Sequence, residues 1–438
     1  MNFLSILDQM RAEWNGRAKK DAHFYVAFGR QSQAEDDFLA SAAEVMPAFE
    51  QEFSRLPPSP AAERRALEIG CGPGRLMVQM ARHFGEVHGV DISEEMIALG
   101  RQRLAAVPGC APGCHLHVTA GADLAMFANE YFDFVYSYIV FQHIPDREVV
   151  LSYLREARRV LKPGGVLRCQ IRGTAPLSSE MSRETETWTG CFFNAEEVAQ
   201  FATENAFPLV DLSGLNTQYM WTTFRKPLAA VAPYLVEKIV VKDVTSARGP
   251  ERRIPERGSE AAVSIWIDGM PESASLADFD IWFGERRQLG CYLSPVSESG
   301  GCQCNARLPE GLAPGDYSVQ LKFGERAVEP AHSITIVASP PRAPRVLSVT
   351  DGINITSRNR LETGGAKVVI EDVHDPFEYS FTVAGVPAQY LQHECTDPIT
   401  STYQFSFRLR AGTPSGHRPL SVAVAGRDLD SIDVEVVH

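Results

Sequence analysis

Two textures of hydrophobic patterning divide the chain, with the change near residue 228. Before it, short apolar runs alternate with segments of helical period. LEIG (67–70), VHGVD (87–91), LHVTA (116–120), FDFVYSY (132–138) and VLRCQIR (166–172) read as strands. MVQMARHF (77–84), EEMIALGRQRLAAV (94–107), EVVLSYLREARRVL (148–161) and AEEVAQFATENA (195–206) read as helices. Strands that are apolar along their whole length, each followed by an amphipathic helix, predict a doubly wound α/β fold with a parallel sheet covered on both faces. After residue 228 the helical period disappears. Short alternating strands such as AVSIWIDG (262–269), YSVQLKFG (317–324), KVVIEDV (367–373) and LSVAVAG (420–426) follow one another between Gly, Pro and Asp clusters, which predicts β-sandwiches. The proline-rich SPPRAP (339–344) splits this region into two units. The expected organisation is a helical lid over 1–60, an α/β domain over 61–228, and sandwiches over 229–338 and 339–438. The stretch RGPERRIPERG (248–258) reads as a charged surface loop.

Composition narrows the function classes. A formal net charge of −13 opposes binding along a nucleic-acid backbone, which needs a basic face. No run approaches the roughly 20 apolar residues needed to cross a bilayer. The N-terminus mixes acids and bases and reads as an amphipathic helix carrying Phe3, Leu4, Ile6, Leu7 and Met10, not as a signal peptide, so the expected location is cytoplasmic. Nine scattered cysteines point to thiols, not a disulfide framework. Cys110 with Cys114, and Cys302 with Cys304, invite a zinc reading. No second pair and no His-x-x-x-His completes either set, and no metal is expected.

The chemistry concentrates between Leu67 and Leu167. In LEIGCGPGRL (67–76) a strand runs into a glycine-rich turn that opens a helix, where bare backbone can approach a ligand. A dinucleotide fingerprint with Gly70 and Gly72 as its first glycines would need a third at position 75, where Arg75 stands, so a dehydrogenase is disfavoured. Asp91 ends the second strand 17 residues after Gly74, where a carboxylate can accept both hydroxyls of a ribose. Ser93 reads as the N-cap of the helix that begins at Glu94.

These blocks, with TAGADLAMF (119–127) and LKPGGVL (161–167), resemble the class I S-adenosylmethionine-dependent methyltransferases of small-molecule type over about residues 10 to 228. The resemblance implies a Rossmann-like seven-stranded sheet with S-adenosylmethionine as cofactor and S-adenosylhomocysteine as product. It implies cofactor binding by Glu68, Gly70, Cys71, Gly72, Gly74, Asp91, Ile92, Met96, Asp123, Leu124 and Ser137, with Asp123 and Leu124 at the adenine. Methyl transfer is an in-line displacement, so the protein mainly positions the acceptor, excludes water and removes a proton where needed. Candidate acceptor-side residues at the carboxyl ends of the fourth and fifth strands are Tyr138, Gln142, Gln170 and Arg172, joined by Tyr25 from the lid and Trp188 from the insert. His143 is the candidate base because its ordinary pKa lies near neutrality. The β region resembles immunoglobulin-like modules. The expected function is transfer of a methyl group to oxygen or nitrogen of a small-molecule or saccharide-like acceptor, without nucleic-acid or membrane partners, with homodimerisation through the β domains as a possible arrangement. The alternative is a cofactor-binding but non-catalytic assembly protein with immunoglobulin-like interaction modules.

Overall fold

The computed structural model describes residues 3–27, 34–110, 112–173, 190–215, 219–227, 236–258, 260–297, 300–324, 326–339, 343–352, 357–373, 375–397 and 402–437. Seven strands of the first half form one sheet: β1 (Arg65–Ile69), β2 (Glu86–Asp91), β3 (Cys114–Val118), β4 (Phe132–Ser137), β5 (Leu161–Ile171), β6 (Leu209–Ser213) and β7 (Met220–Arg225). Their spatial order is β3-β2-β1-β4-β5-β7-β6, with β7 antiparallel to both of its neighbours and the others parallel. The helices are α1 (Phe3–Ala27), α2 (Glu35–Ala40), α3 (Pro47–Phe53), α4 (Arg75–Met80), α5 (Glu94–Ala106), α6 (Arg147–Val160) and α7 (Ala195–Glu204). Both β2 and β4 flank β1, so the strand order reverses there. That reversal opens a crevice beyond the carboxyl ends of β1 and β4.

Alternation along the strands builds two cores. Leu67, Val135 and Leu167 face α6 and α7, with Ile6, Leu7 and Met10 of α1 in the same cluster. Ala66, Phe134, Tyr136 and Val166 face the other way, onto Phe49 of α3 and Leu76, Met77 and Met80 of α4. The helices start where the sequence supplies caps. Ser93 accepts from the Met96 amide, Asp146 from the Glu148 amide, and Asn194 forms a reciprocal capping box with Glu197.

The chain divides into two compact units, 1–22 with 35–256 and 260–338, and 23–34 with 257–259 and 339–438. The first unit thus contains a β-sandwich as well as the α/β sheet. One sandwich sheet joins Tyr292–Leu293, Cys302–Arg307, Ala262–Asp268 and Val240–Ser246; the other contains Arg286–Gln288, Asp280–Phe283, Gly315–Phe323 and His332–Val337. Cys302 and Cys304 lie at alternate positions and both pack into this core. The segment read from sequence as a charged loop holds a strand, Arg253–Pro255, parallel to His332–Val337, with Ile254 fully buried. One apolar residue among charges gives no periodicity, so only the partner strand reveals it. In the second unit, Val368, Ile370, Phe405, Phe407, Leu420 and Val422 form a separate sandwich core.

The sandwich of the first unit covers the β6 edge of the α/β sheet. Gln288 donates to Asp211 of β6 at 3.3 Å, and Glu310 accepts from the amides of Gly214 and Leu215 at 2.8 and 3.3 Å. Arg55 donates to the Gly290 carbonyl at 3.1 Å and pairs with the fully buried Glu52 at 2.7 Å. Arg225 lies 3.6 Å from Asp280. An edge strand left open is a template for aggregation, and here neighbouring polar side chains close it. Asp211 meets Arg168 at 2.9 Å. Burial raises the Asp211 pKa, but Arg168 and Arg55 outweigh it and hold the carboxyl below its ordinary value. Asp211→Asn leaves Arg168 buried without its nearest countercharge, and urea unfolding of the full chain should show a loss of about 3 kcal/mol.

Candidate functional site

The glycine turn is held in a conformation that side chains resist. Gly70, Gly72 and Gly74 have φ of +72°, +49° and +78°. A Cβ on Gly70 would lie 2.4 Å from Val140 Cγ2, so the residue admits the turn that follows β4. The amides of Gly70 and Cys71 both donate to the Val90 carbonyl, at 2.8 and 3.0 Å. Arg103 of α5, lying over the Phe38 ring at 4.6 Å, donates to the Pro73 carbonyl and pairs with Glu35.

Asp91 joins this turn to the second strand. Its carboxylate accepts from the Gly72 amide at 2.8 Å and from the Ser93 amide at 2.9 Å. A carboxylate has about four lone-pair positions, so acceptor capacity remains for a hydroxyl donor. Burial raises the Asp91 pKa to about 6 despite the opposing pull of the Ser93, Gly72 and Ile92 amides. Ser93 donates to Asn15 of α1 at 2.7 Å, and Asn15 donates to Glu94 at 2.8 Å. With Leu7 and Met10 buried in the first core, α1 packs against the end of the sheet that carries the turn.

Glu68 is 4% exposed and accepts from the Tyr136 hydroxyl at 3.0 Å, which ties β1 to β4. Burial pushes its pKa up to about 8, against the opposing pull of Tyr136 and Arg75. Cys71 and Met96 are buried, Ile92 lies beside Gly121, and Ser137 donates to the Ile69 carbonyl at 2.8 Å. Of the adenine pair, Asp123 accepts from the Ala125 amide at 3.0 Å. The Leu124 amide already donates to Glu156 of α6 at 3.0 Å, and the Leu124 side chain is fully buried. The Leu124 amide is therefore already engaged by Glu156 within the fold.

The acceptor-side residues gather beyond β4 and β5. Tyr138 stacks on Trp221 of β7 with ring centres 5.9 Å apart. Arg168 lies 4.6 Å over the other ring of that pair, Trp221. Ile139 has φ of +54°, a strained value for a β-branched residue. Gln142 and His143 follow in the 3-10 turn Phe141–His143, both buried. The His143 ring meets Trp14 of α1 edge-on at 5.6 Å. Gln170 and Arg172 are 5% and 7% exposed at the end of β5. Burial lowers the Arg172 pKa, and Tyr219 works against that shift. Tyr25 belongs to the second compact unit, and Trp188 lies outside the described residues. Sequence reasoning missed Asn15, Arg103 and the strain at Ile139. None of these follows a motif, because each depends on a partner far along the chain. Among the described residues, no group of three or more His, Cys, Asp or Glu side chains is placed to hold a metal ion.

Residues 67–169 match the protein-family model described as "Methyltransferase domain". Over 125 residues the chain is 36% identical to ubiquinone biosynthesis O-methyltransferase of Dinoroseobacter shibae, covering 28% of this chain and 48% of that protein. Over 158 residues it is 30% identical to phosphoethanolamine N-methyltransferase 2 of Caenorhabditis elegans, covering 35% and 34% respectively. The chain spans about half the length of the curated relatives it matches. Among solved structures, it is similar to geranyl diphosphate C-methyltransferase of Streptomyces coelicolor A3(2), with a TM-score of 0.38, 14% identity and coverage of 50% of this chain and 97% of that one.

Two outcomes test this geometry. Because the folded-state pKa of Glu68 lies above its ordinary value, its contribution to stability is full at low pH and is lost as pH rises through about 8. Glu68→Gln, which cannot ionise, should lose less melting temperature than the wild type between pH 6 and 9. Gly70→Ala meets both the positive φ and Val140, and calorimetric titration with S-adenosylhomocysteine should show at least a tenfold loss of affinity.

Proposed function

We propose that this chain, whose residues 67–169 match the methyltransferase-domain model, is an S-adenosylmethionine-dependent enzyme that methylates oxygen or nitrogen of a small-molecule or saccharide-like acceptor. The observation that carries the cofactor half is the Asp91 carboxylate, tied to the Gly72 and Ser93 amides at 2.8 and 2.9 Å with acceptor capacity left for a ribose hydroxyl. Gly70, Gly72 and Gly74 would hold the methionine part and Asp123 the adenine. When bound, the cofactor's sulfonium supplies the methyl group and the leaving group.

The remaining work falls to this chain's own residues. Tyr138, Gln142, Gln170 and Arg172 surround the acceptor, α1 excludes water, and His143 takes the acceptor proton. Named relatives that act on oxygen and on nitrogen both support the class and leave the acceptor atom to experiment. No helix among the described residues is long and apolar enough to cross a membrane. Free cysteines such as Cys71, Cys169 and Cys291 support a reducing, cytoplasmic setting.

Calorimetric titration with S-adenosylmethionine and S-adenosylhomocysteine should give micromolar binding that Asp91→Ala abolishes. Wild-type affinity should fall as pH drops below about 6, because only the ionised carboxylate keeps that acceptor capacity. Wild-type protein that binds neither ligand would sink the cofactor reading, whereas binding without turnover would support the cofactor-binding, non-catalytic assembly protein. For the base, His143→Ala should lower turnover at least tenfold near neutral pH. Full turnover in that variant would assign His143 to packing against Trp14.

A further inference from the structure

Two buried side-chain amides at the mouth of β4 and β5 each carry a carbonyl oxygen that accepts no hydrogen bond. The Gln142 and Gln170 side chains are each 5% exposed, and neither Oε1 has a hydrogen-bond partner. Folded proteins rarely leave such atoms unpaired, because an acceptor stripped of water and left empty destabilises the fold. Loose backbone does not explain it. The Gln142 carbonyl accepts from the Gly190 amide at 2.6 Å, and the His143 amide donates to Val140 at 2.9 Å. Gln170 sits within the β5–β7 ladder opposite Trp221. Both main chains are fixed while both Oε1 atoms lack donors.

A second observation falls on the same spot. Ile139, the residue with φ of +54°, lies between Tyr138 and the turn that carries Gln142. Strain of this kind persists where the surroundings impose it, and it is concentrated at binding sites. The β4–β5 register pairs Ser137 with Cys169, and one step further it sets Tyr138 beside Gln170. Tyr138 in turn stacks on Trp221.

We propose that Gln142 and Gln170 are the acceptor-reading residues of this site, and that they select a neutral, ring-shaped acceptor carrying at least two hydroxyl groups. The inference rests on the methyltransferase reading above and narrows its substrate class. Two unpaired carbonyl oxygens require donors from the ligand. A carboxylate or phosphate would bring lone pairs against lone pairs. A protonated amine would donate, but the Arg172 charge, just past the end of β5 and two residues beyond Gln170, repels it. Hydroxyls remain, and the Tyr138–Trp221 pair offers a flat wall for a ring.

The test uses the full chain with Gln142→Met and Gln170→Met, which keep shape and remove the amide. Each variant should melt at or about 2 °C above the wild type, because an unpaired polar atom has been removed. S-adenosylhomocysteine affinity should stay within about threefold, which separates this inference from the cofactor reading; loss of that binding in the wild type sinks the parent reading instead. With S-adenosylhomocysteine present, catechol and its dimethyl ether veratrole serve as probes; veratrole lacks the hydroxyl donors and adds two methyl groups, and the double variant, which keeps the shape of the site, separates hydrogen bonding from size. Catechol should bind the wild type at least tenfold more tightly than veratrole, and the double variant should erase the difference. A melting temperature lowered by more than about 3 °C in either variant would make the glutamines structural. Equal binding of the two probes, or no binding of catechol, would overturn the hydroxyl assignment.

Discussion

The Asp91 carboxylate is the joint on which the first half of this molecule depends. It is made by the last residue of β2, yet it fixes the glycine turn after β1 through Gly72 and the start of α5 through Ser93. Ser93 then carries the connection to Asn15 and so to α1. One buried group therefore holds three elements that would otherwise move independently. Burial makes its charge harder to maintain, which is why its pKa rises to about 6 even against the pull of the Ser93, Gly72 and Ile92 amides. The site thus combines rigidity with a titration close to physiological pH.

Around that joint, burial produces a second kind of order. Glu52, Arg55, Arg168 and Asp211 form a chain of charges with little access to water, and Gln288 extends it into the sandwich. Such groups are tolerated only where partners complete them, so the network demands a particular packing of the sandwich against β6 and β7. Arg168 also lies over Trp221, which stacks on Tyr138. The contacts that dock the sandwich are therefore continuous with the aromatic wall beside the candidate acceptor residues. Within the first unit, this sandwich belongs to the architecture of the site.

The α/β sheet was legible in the sequence because its signals are local. Apolar runs mark β1 to β5, glycines mark the turn, and Ser93, Asp146 and Asn194 mark helix starts. The sandwich strands were legible for the same reason, through alternation at Val263, Ile265 and Ile267. Arg253–Pro255 was not, because Ile254 stands alone among charged residues and becomes a strand only by pairing with His332–Val337. The Leu124 amide shows the same limit. The resemblance marked its position, while Glu156, 32 residues away, determines what the amide bonds to.

By itself the sequence determined the order of elements, the glycine turn and the carboxylate at the end of the second strand, since periodicity and spacing are properties of neighbouring residues. Only the tertiary structure decided which polar groups are satisfied. The sequence placed Gln142 and Gln170 at the carboxyl ends of the fourth and fifth strands, but nothing near them in the chain marked their Oε1 atoms as unpaired. Their lack of partners exists only once β4, β5, β7 and the turn after Val140 have closed around them and removed the water that would have bonded them.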